Sequence, residues 1–157
     1  MKAYDGILPR EVMQQFPSGT AAATFGDWVA NHVGLEQVLG LAGFFAPEFV
    51  EVKGHVFWDR HVGEDLEKLE QLSTPFGDDS ETVEQYYNIV NLGEFFLASA
   101  DQAVHQEDLL EAFGRVLQHF WVLALGTRFP DRVYRFEVDH DLFDEEGLCL
   151  TFWQDRS

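Results

Sequence analysis

Three groups of side chains in this 157-residue chain are of types that can do chemistry. His55, Asp59 and His61 combine two imidazoles with a carboxylate, a donor set that suits zinc. On an extended segment, however, His55 and Asp59 share a face and His61 falls beyond its end, so the reading is a rim histidine and an acid capping the next turn. Asp139, Asp141, Asp144, Glu145 and Glu146 crowd oxygen atoms into one loop, as calcium prefers, but their spacing misses that of an EF-hand, which leaves a solvated hairpin tip. Cys149 lies between Leu148 and Leu150, with His119 and His140 elsewhere as conceivable bases. A reactive thiol needs electropositive surroundings and this chain supplies the reverse, so Cys149 reads as a small apolar filler. A phosphate loop, a GxSxG elbow, an HExxH helix and a GxGxxG turn are all absent. We therefore expect no catalytic residue, no metal and no cofactor.

What the sequence offers instead is segregated charge. Residues 69–114 contain ten acidic side chains and no lysine or arginine. Residues 61–111 carry thirteen acids against one base, whereas 1–60 carry seven against four and 112–157 carry eight against five. Two thirds of the net charge of −18 thus falls in the middle of the chain. Solubility alone does not require emptying so long a stretch of cations. Such a field attracts basic proteins and repels nucleic acid and anionic lipid. The candidate docking face is formed by Glu64, Asp65, Glu67, Glu70, Asp78, Asp79, Glu81 and Glu84, with help from Glu107, Asp108 and Glu111. Tyr86 and Tyr87 cannot both point inward from one helix, and Tyr87, next to the acids, is the candidate aromatic anchor.

The elements that position these groups follow from periodicity. Residues 9–16 read as a short helix opened by Pro9, and 20–46 as helix divided at Gly34 and ended by Pro47. Residues 49–59 read as a hairpin about Lys53-Gly54, with Val52 opposite His55, Val50 opposite Phe57, Glu51 opposite Val56 and Phe49 opposite Trp58. A short acidic helix is predicted over 64–72, and a longer one from a cap at Asp79 or Ser80 to about Leu97. On the latter, Glu84, Asn88 and Asn91 form a polar stripe expected to face water or a partner. Glu107 and Asp108 open another helix, apolar all round beyond Phe120 and hence expected to end fully buried. Two strands close the chain, 133–139 and 148–153, the first with Tyr134, Phe136 and Val138 inward. The fold class is α+β: a single domain over 1–157, with a mostly antiparallel sheet of about four strands, in two hairpins, against several helices.

At this length a core can form, and 46% hydrophobic residues with fifteen phenylalanines argue against disorder. A single cysteine excludes an internal disulfide, the first sixteen residues lack a signal-peptide pattern, and no apolar run approaches the roughly 20 residues that span a bilayer. A soluble, cytoplasmic protein is expected. The stretch Arg128-Phe-Pro-Asp-Arg-Val-Tyr-Arg-Phe-Glu-Val, followed by Leu150-Thr-Phe-Trp-Gln, resembles the ending of small uncharacterised bacterial proteins. Size and acidity are similar to those of immunity proteins for secreted bacterial toxins. That resemblance implies stoichiometric inhibition of a basic toxin domain and carries over no functional residue. The expectation is therefore a non-catalytic acidic protein that binds a basic protein partner and neither nucleic acid nor membrane. A DNA mimic engaging a basic DNA-binding protein, and a small enzyme or ligand-binding domain with a pocket between helices and sheet, are the alternatives.

Overall fold

The computed structural model describes residues 6–8, 10–16, 24–59, 74–98 and 102–157. Strands β1 (Phe49–Val52) and β2 (His55–Trp58) pair in the register read from the sequence, from Val52 opposite His55 to Phe49 opposite Trp58. Their turn explains it: Lys53 and Gly54 both take positive φ, 51° and 85°, the two-residue geometry whose twist matches that of the flanking strands. Val56, Phe57 and Trp58 are buried, Val56 and Trp58 in the main core and Phe57 in a smaller cluster with Val83. Both faces of β2 are thus covered.

Before the hairpin, residues Arg10–Gln15 form a 3-10 turn, followed by α1 (Phe25–His32) and α2 (Leu35–Phe45). The Thr24 side chain accepts the Asp27 N–H at 3.1 Å and so caps α1, while Gly34 breaks the two apart as its position suggests. α2 docks by its C-terminal end: Phe44 and Phe45 pack on the core, and Trp121 donates from Nε1 to the Phe44 carbonyl at 3.2 Å. Leu35 and Leu39 remain exposed.

α3 (Ser80–Tyr87) begins under the cap of Asp79 and stops at Asn88, not near Leu97 as the sequence suggests. The following residues gain more by pairing. Val90–Asn91 form β3, and Leu92 N–H donates to the Leu148 carbonyl at 2.9 Å. This short strand is the one that periodicity missed, since two residues carry no pattern of their own.

α4 (Glu107–Arg128) buries one stripe, including Leu117, Trp121 and Leu125, against β4 (Val133–His140) and β5 (Leu148–Asp155). Val122 and Leu123 are exposed, so its end is not buried all round as expected; one face of the helix suffices to cover the sheet. Tyr134, Phe136 and Val138 turn inward and Val133, Arg135, Glu137 and Asp139 outward, as the alternation predicts. Trp121 stands at the centre of the core, its ring 5.0 Å from that of Trp58 and 5.9 Å from that of Phe152. No helix among the described residues is long and apolar enough to cross a membrane.

The fold is α+β with antiparallel pairing throughout, but its five described strands fall into two sheets, β1-β2 and β3-β5-β4. Side chains of α3 join them. Glu84 is 0% exposed; its Oε1 accepts Val56 N–H at 3.0 Å and its Oε2 accepts Gln154 N–H at 2.6 Å. Arg156 donates to the same carboxylate at 2.7 and 3.0 Å. One turn on, buried Asn88 accepts Trp58 N–H at 2.9 Å and donates to the carbonyls of Val56 and Phe152 at 2.9 and 3.1 Å. Thr151, also buried, donates to the Gln85 carbonyl at 2.6 Å. A helix thereby replaces the missing backbone ladder between β2 and β5, whose buried amides must find partners somewhere. Glu84 and Asn88 consequently face inward, opposite to the expectation for a polar stripe.

Candidate functional site

The candidate docking residues fall into four groups. Glu64, Asp65, Glu67 and Glu70 lie outside the described residues, as do His61 and the predicted helix over 64–72. Asp78, Asp79 and Glu81 are exposed around the start of α3. Glu107 and Asp108 are exposed in the first turn of α4, and Glu111, one turn further, is half-buried and pairs with Arg115 at 3.2 Å. Glu84 is the correction: wholly desolvated and held by Arg156, it cannot steer a partner.

Tyr87 is a further correction. Tyr87 packs inward, its ring 5.9 Å from Phe57 and beside Val83. Tyr86, also partly buried, packs on the other side, 5.7 Å from the ring of Phe76 and 6.0 Å from that of Phe143; the rings of Phe76 and Phe143 are 5.1 Å apart. Phe76 is 46% exposed. A tight turn closed by Thr74, whose hydroxyl donates to the Gly77 carbonyl at 2.8 Å and accepts Phe76 N–H at 3.1 Å, holds it there.

Phe143 reaches this cluster at a cost. It has φ of 53°, and its neighbours Asp141 and Asp144 have 57° and 63°. Aspartate tolerates the left-handed region, but for a bulky aromatic residue it is strained, by roughly 1–3 kcal/mol. Gly147, at φ 97°, completes the loop where a Cβ would lie 3.4 Å from the Asn91 side chain. Asn91 in turn donates to the Glu146 carbonyl at 2.6 Å and accepts Gly93 N–H at 2.9 Å.

Three contacts therefore gather acid-bearing segments that are far apart in sequence. The Phe76, Tyr86 and Phe143 rings tie the segment of Asp78, Asp79 and Glu81 to the hairpin tip of Asp141, Asp144, Glu145 and Glu146. Asn91 ties that tip to the turn bearing Glu94, and His140 meets Glu107 at 2.9 Å. Asp79 is held below the usual carboxylate range, first by its side-chain hydrogen bond with Thr82, so its charge persists in mild acid.

Apart from Arg115 on Glu111 and Arg156 on Glu84, the arginines from position 115 onward are engaged away from the candidate acids. Arg132 meets Glu51 at 2.6 Å, Arg135 meets Asp155 at 2.7 Å, and Arg128 donates to the Pro47 carbonyl. Among the described residues, the carboxylates of the hairpin tip, Asp141, Asp144, Glu145 and Glu146, have no arginine partner.

Of the other chemical groups, His55 stacks on Phe57 at 6.2 Å, and no cluster of three metal-ligating residues occurs among the described residues. Cys149 is fully buried, and burial, helped by Glu145, Asp141 and Glu94, pushes its thiol up to about 11. Burial likewise raises Tyr134 to about 12. Both shifts favour the neutral form. The stability they contribute is present below pH 9.0, the ordinary value for the thiol, and is lost as pH climbs through about 11. We expect the urea midpoint to hold to pH 9 and fall above it, and Cys149 to react with a thiol reagent at pH 8 about a hundredfold more slowly than free cysteine. A thiol labelled at the free rate in native protein would contradict both.

A cavity of about 470 Å³ does exist, with no strand residue in its described lining, which includes Leu8, Phe16, Trp28, Phe45 and Phe113. Its described lining offers no acid, base or nucleophile. No family model, no curated protein and no solved structure matches this chain.

Proposed function

We propose that this chain is a non-catalytic binding protein that docks its acidic end on a basic protein partner, in the manner of an immunity protein occupying the cationic cleft of a toxin. The observation that carries this reading is an aromatic cluster of exposed Phe76 with partly buried Tyr86 and Phe143, set among carboxylates that have no arginine partner among the described residues. An aromatic anchor supplies affinity once water is excluded around it, and the surrounding charge supplies orientation and speed. Carboxylates placed in a nuclease cleft would exclude the phosphate backbone, so inhibition follows from occupancy.

The test separates charge from anchor. Immobilised protein is expected to retain a basic protein from source lysate at about 50 mM salt and to release it at about 500 mM, where screening shortens to a few ångströms. Reversing Asp78, Glu81 and Asp144 to lysine should slow association with that protein at least about tenfold, while Phe76→Ala should mainly speed dissociation. Capture that ignores both salt and the charge reversal would remove this reading.

A further inference from the structure

β4 is the outer strand of its sheet and pairs with β5 without a bulge from Val133 to His140. Asp141 N–H donates to the Gly147 carbonyl at 3.2 Å, whereas His140 N–H turns to the Asp139 side chain at 2.7 Å. In an antiparallel ladder this alternation fixes the rest. Odd-numbered residues bond to β5, and Tyr134, Phe136 and Val138 direct their N–H and C=O groups to the free edge. Among the described residues no partner reaches those six groups. The strand also lacks the lysine, proline or bulge with which exposed edges are commonly blunted.

Within the strand its charge is antisymmetric: Arg135 lies toward the start, Glu137 and Asp139 toward the end, while Asp131 and Arg132 precede it and Asp141 follows. Laid antiparallel on itself, such a strand sets each end against its opposite. We propose that β4 pairs with β4 of a second copy about a two-fold axis at Phe136, merging the two three-stranded sheets into one of six strands. Tyr134 then bonds with Val138 of the second copy, Phe136 with its equivalent and Val138 with Tyr134, which satisfies all six edge groups on each side. Arg135 falls opposite Glu137 of the second copy, twice, at the closely spaced positions where facing side chains meet. Arg135 uses Nε and Nη2 on Asp155, which leaves Nη1 for that contact. The neighbouring registers are worse, since sliding by one step either way places Glu137 on Glu137 or Arg135 on Arg135.

Sedimentation velocity on the full chain at about 0.15 M salt tests this, because screening at that strength leaves contact pairs intact. The protein should sediment as a dimer, and Glu137→Arg and Arg135→Glu should each weaken it at least about tenfold by opposing like charges. Mixing the two variants should restore a mixed dimer, because a copy cationic at both positions then faces one anionic at both. Circular dichroism checks that each variant is folded. A protein monomeric up to about 100 µM, a dimer that Glu137→Arg leaves unchanged, or a mixture that stays monomeric overturns the proposal.

Discussion

Glu84→Gln is expected to destabilise the protein by about 3–5 kcal/mol, the range for breaking a desolvated ion pair from one side. The carboxylate is 0% exposed and accepts from two backbone amides on different sheets as well as from Arg156. An amide offers one acceptor oxygen, so its NH₂ must confront either Val56 N–H or Gln154 N–H, and Arg156 loses its counter-charge. Denaturant titration reads the effect as a lowered midpoint at unchanged slope. Arg156→Met should cost less, because the Arg156 side chain is 27% exposed and the carboxylate keeps both amides. The double variant should be little worse than Glu84→Gln alone, since both changes strike one network. A loss below about 1 kcal/mol for Glu84→Gln would show that water reaches the carboxylate and that the seam does not hold the sheets together.

This assignment changes how the acidic middle of the chain must be probed. A buried pair is no evidence that the seam is more stable than an apolar one would be; what costs is removing one side of it. Reversing Glu84 would therefore unfold the protein and mimic a binding defect, whereas Asp78, Glu81 and Asp144 are exposed and test charge alone.

How far the sequence could be read depended on the range of the interaction. The β1-β2 hairpin was legible to the residue because a two-residue turn and side-chain alternation are local, and so were the inward face of β4 and the acidic start of α4. Glu84 was not. Its helical neighbours permit either face, and what draws it inward is Arg156, 72 positions later, together with two amides from different sheets. Tyr87 was misread for a similar reason: the helix alone allows either tyrosine inward, and Phe57 and Val83 take Tyr87 while Phe143 reaches over from the far hairpin to Tyr86. The proposed docking face was half legible. Its charge could be counted, but nothing local joins Phe76 to Phe143, which a left-handed backbone at Phe143 brings together.

The second rung of the same seam predicts a pH signature. Asn88→Asp preserves shape and should nevertheless cost about 3–5 kcal/mol at neutral pH, more than Asn88→Ala, because it adds a desolvated charge as well as removing a donor. Asn88 now donates to two carbonyls at 2.9 and 3.1 Å and accepts Trp58 N–H at 2.9 Å. A carboxylate would keep the last of these and turn lone pairs on the other two. Protonation would return one donor, so the introduced group has a higher pKa folded than unfolded. Its contribution is then most favourable below about pH 3.9 and is lost as pH rises through the folded value. The stability gap to wild type should accordingly narrow as pH is lowered from 7 toward about 4, while the gap for Asn88→Ala stays constant. Parallel pH profiles for the two variants would mean that Asn88 does not sit between the carbonyls of Val56 and Phe152, and the helix-bridged joint between the sheets would have to be redrawn.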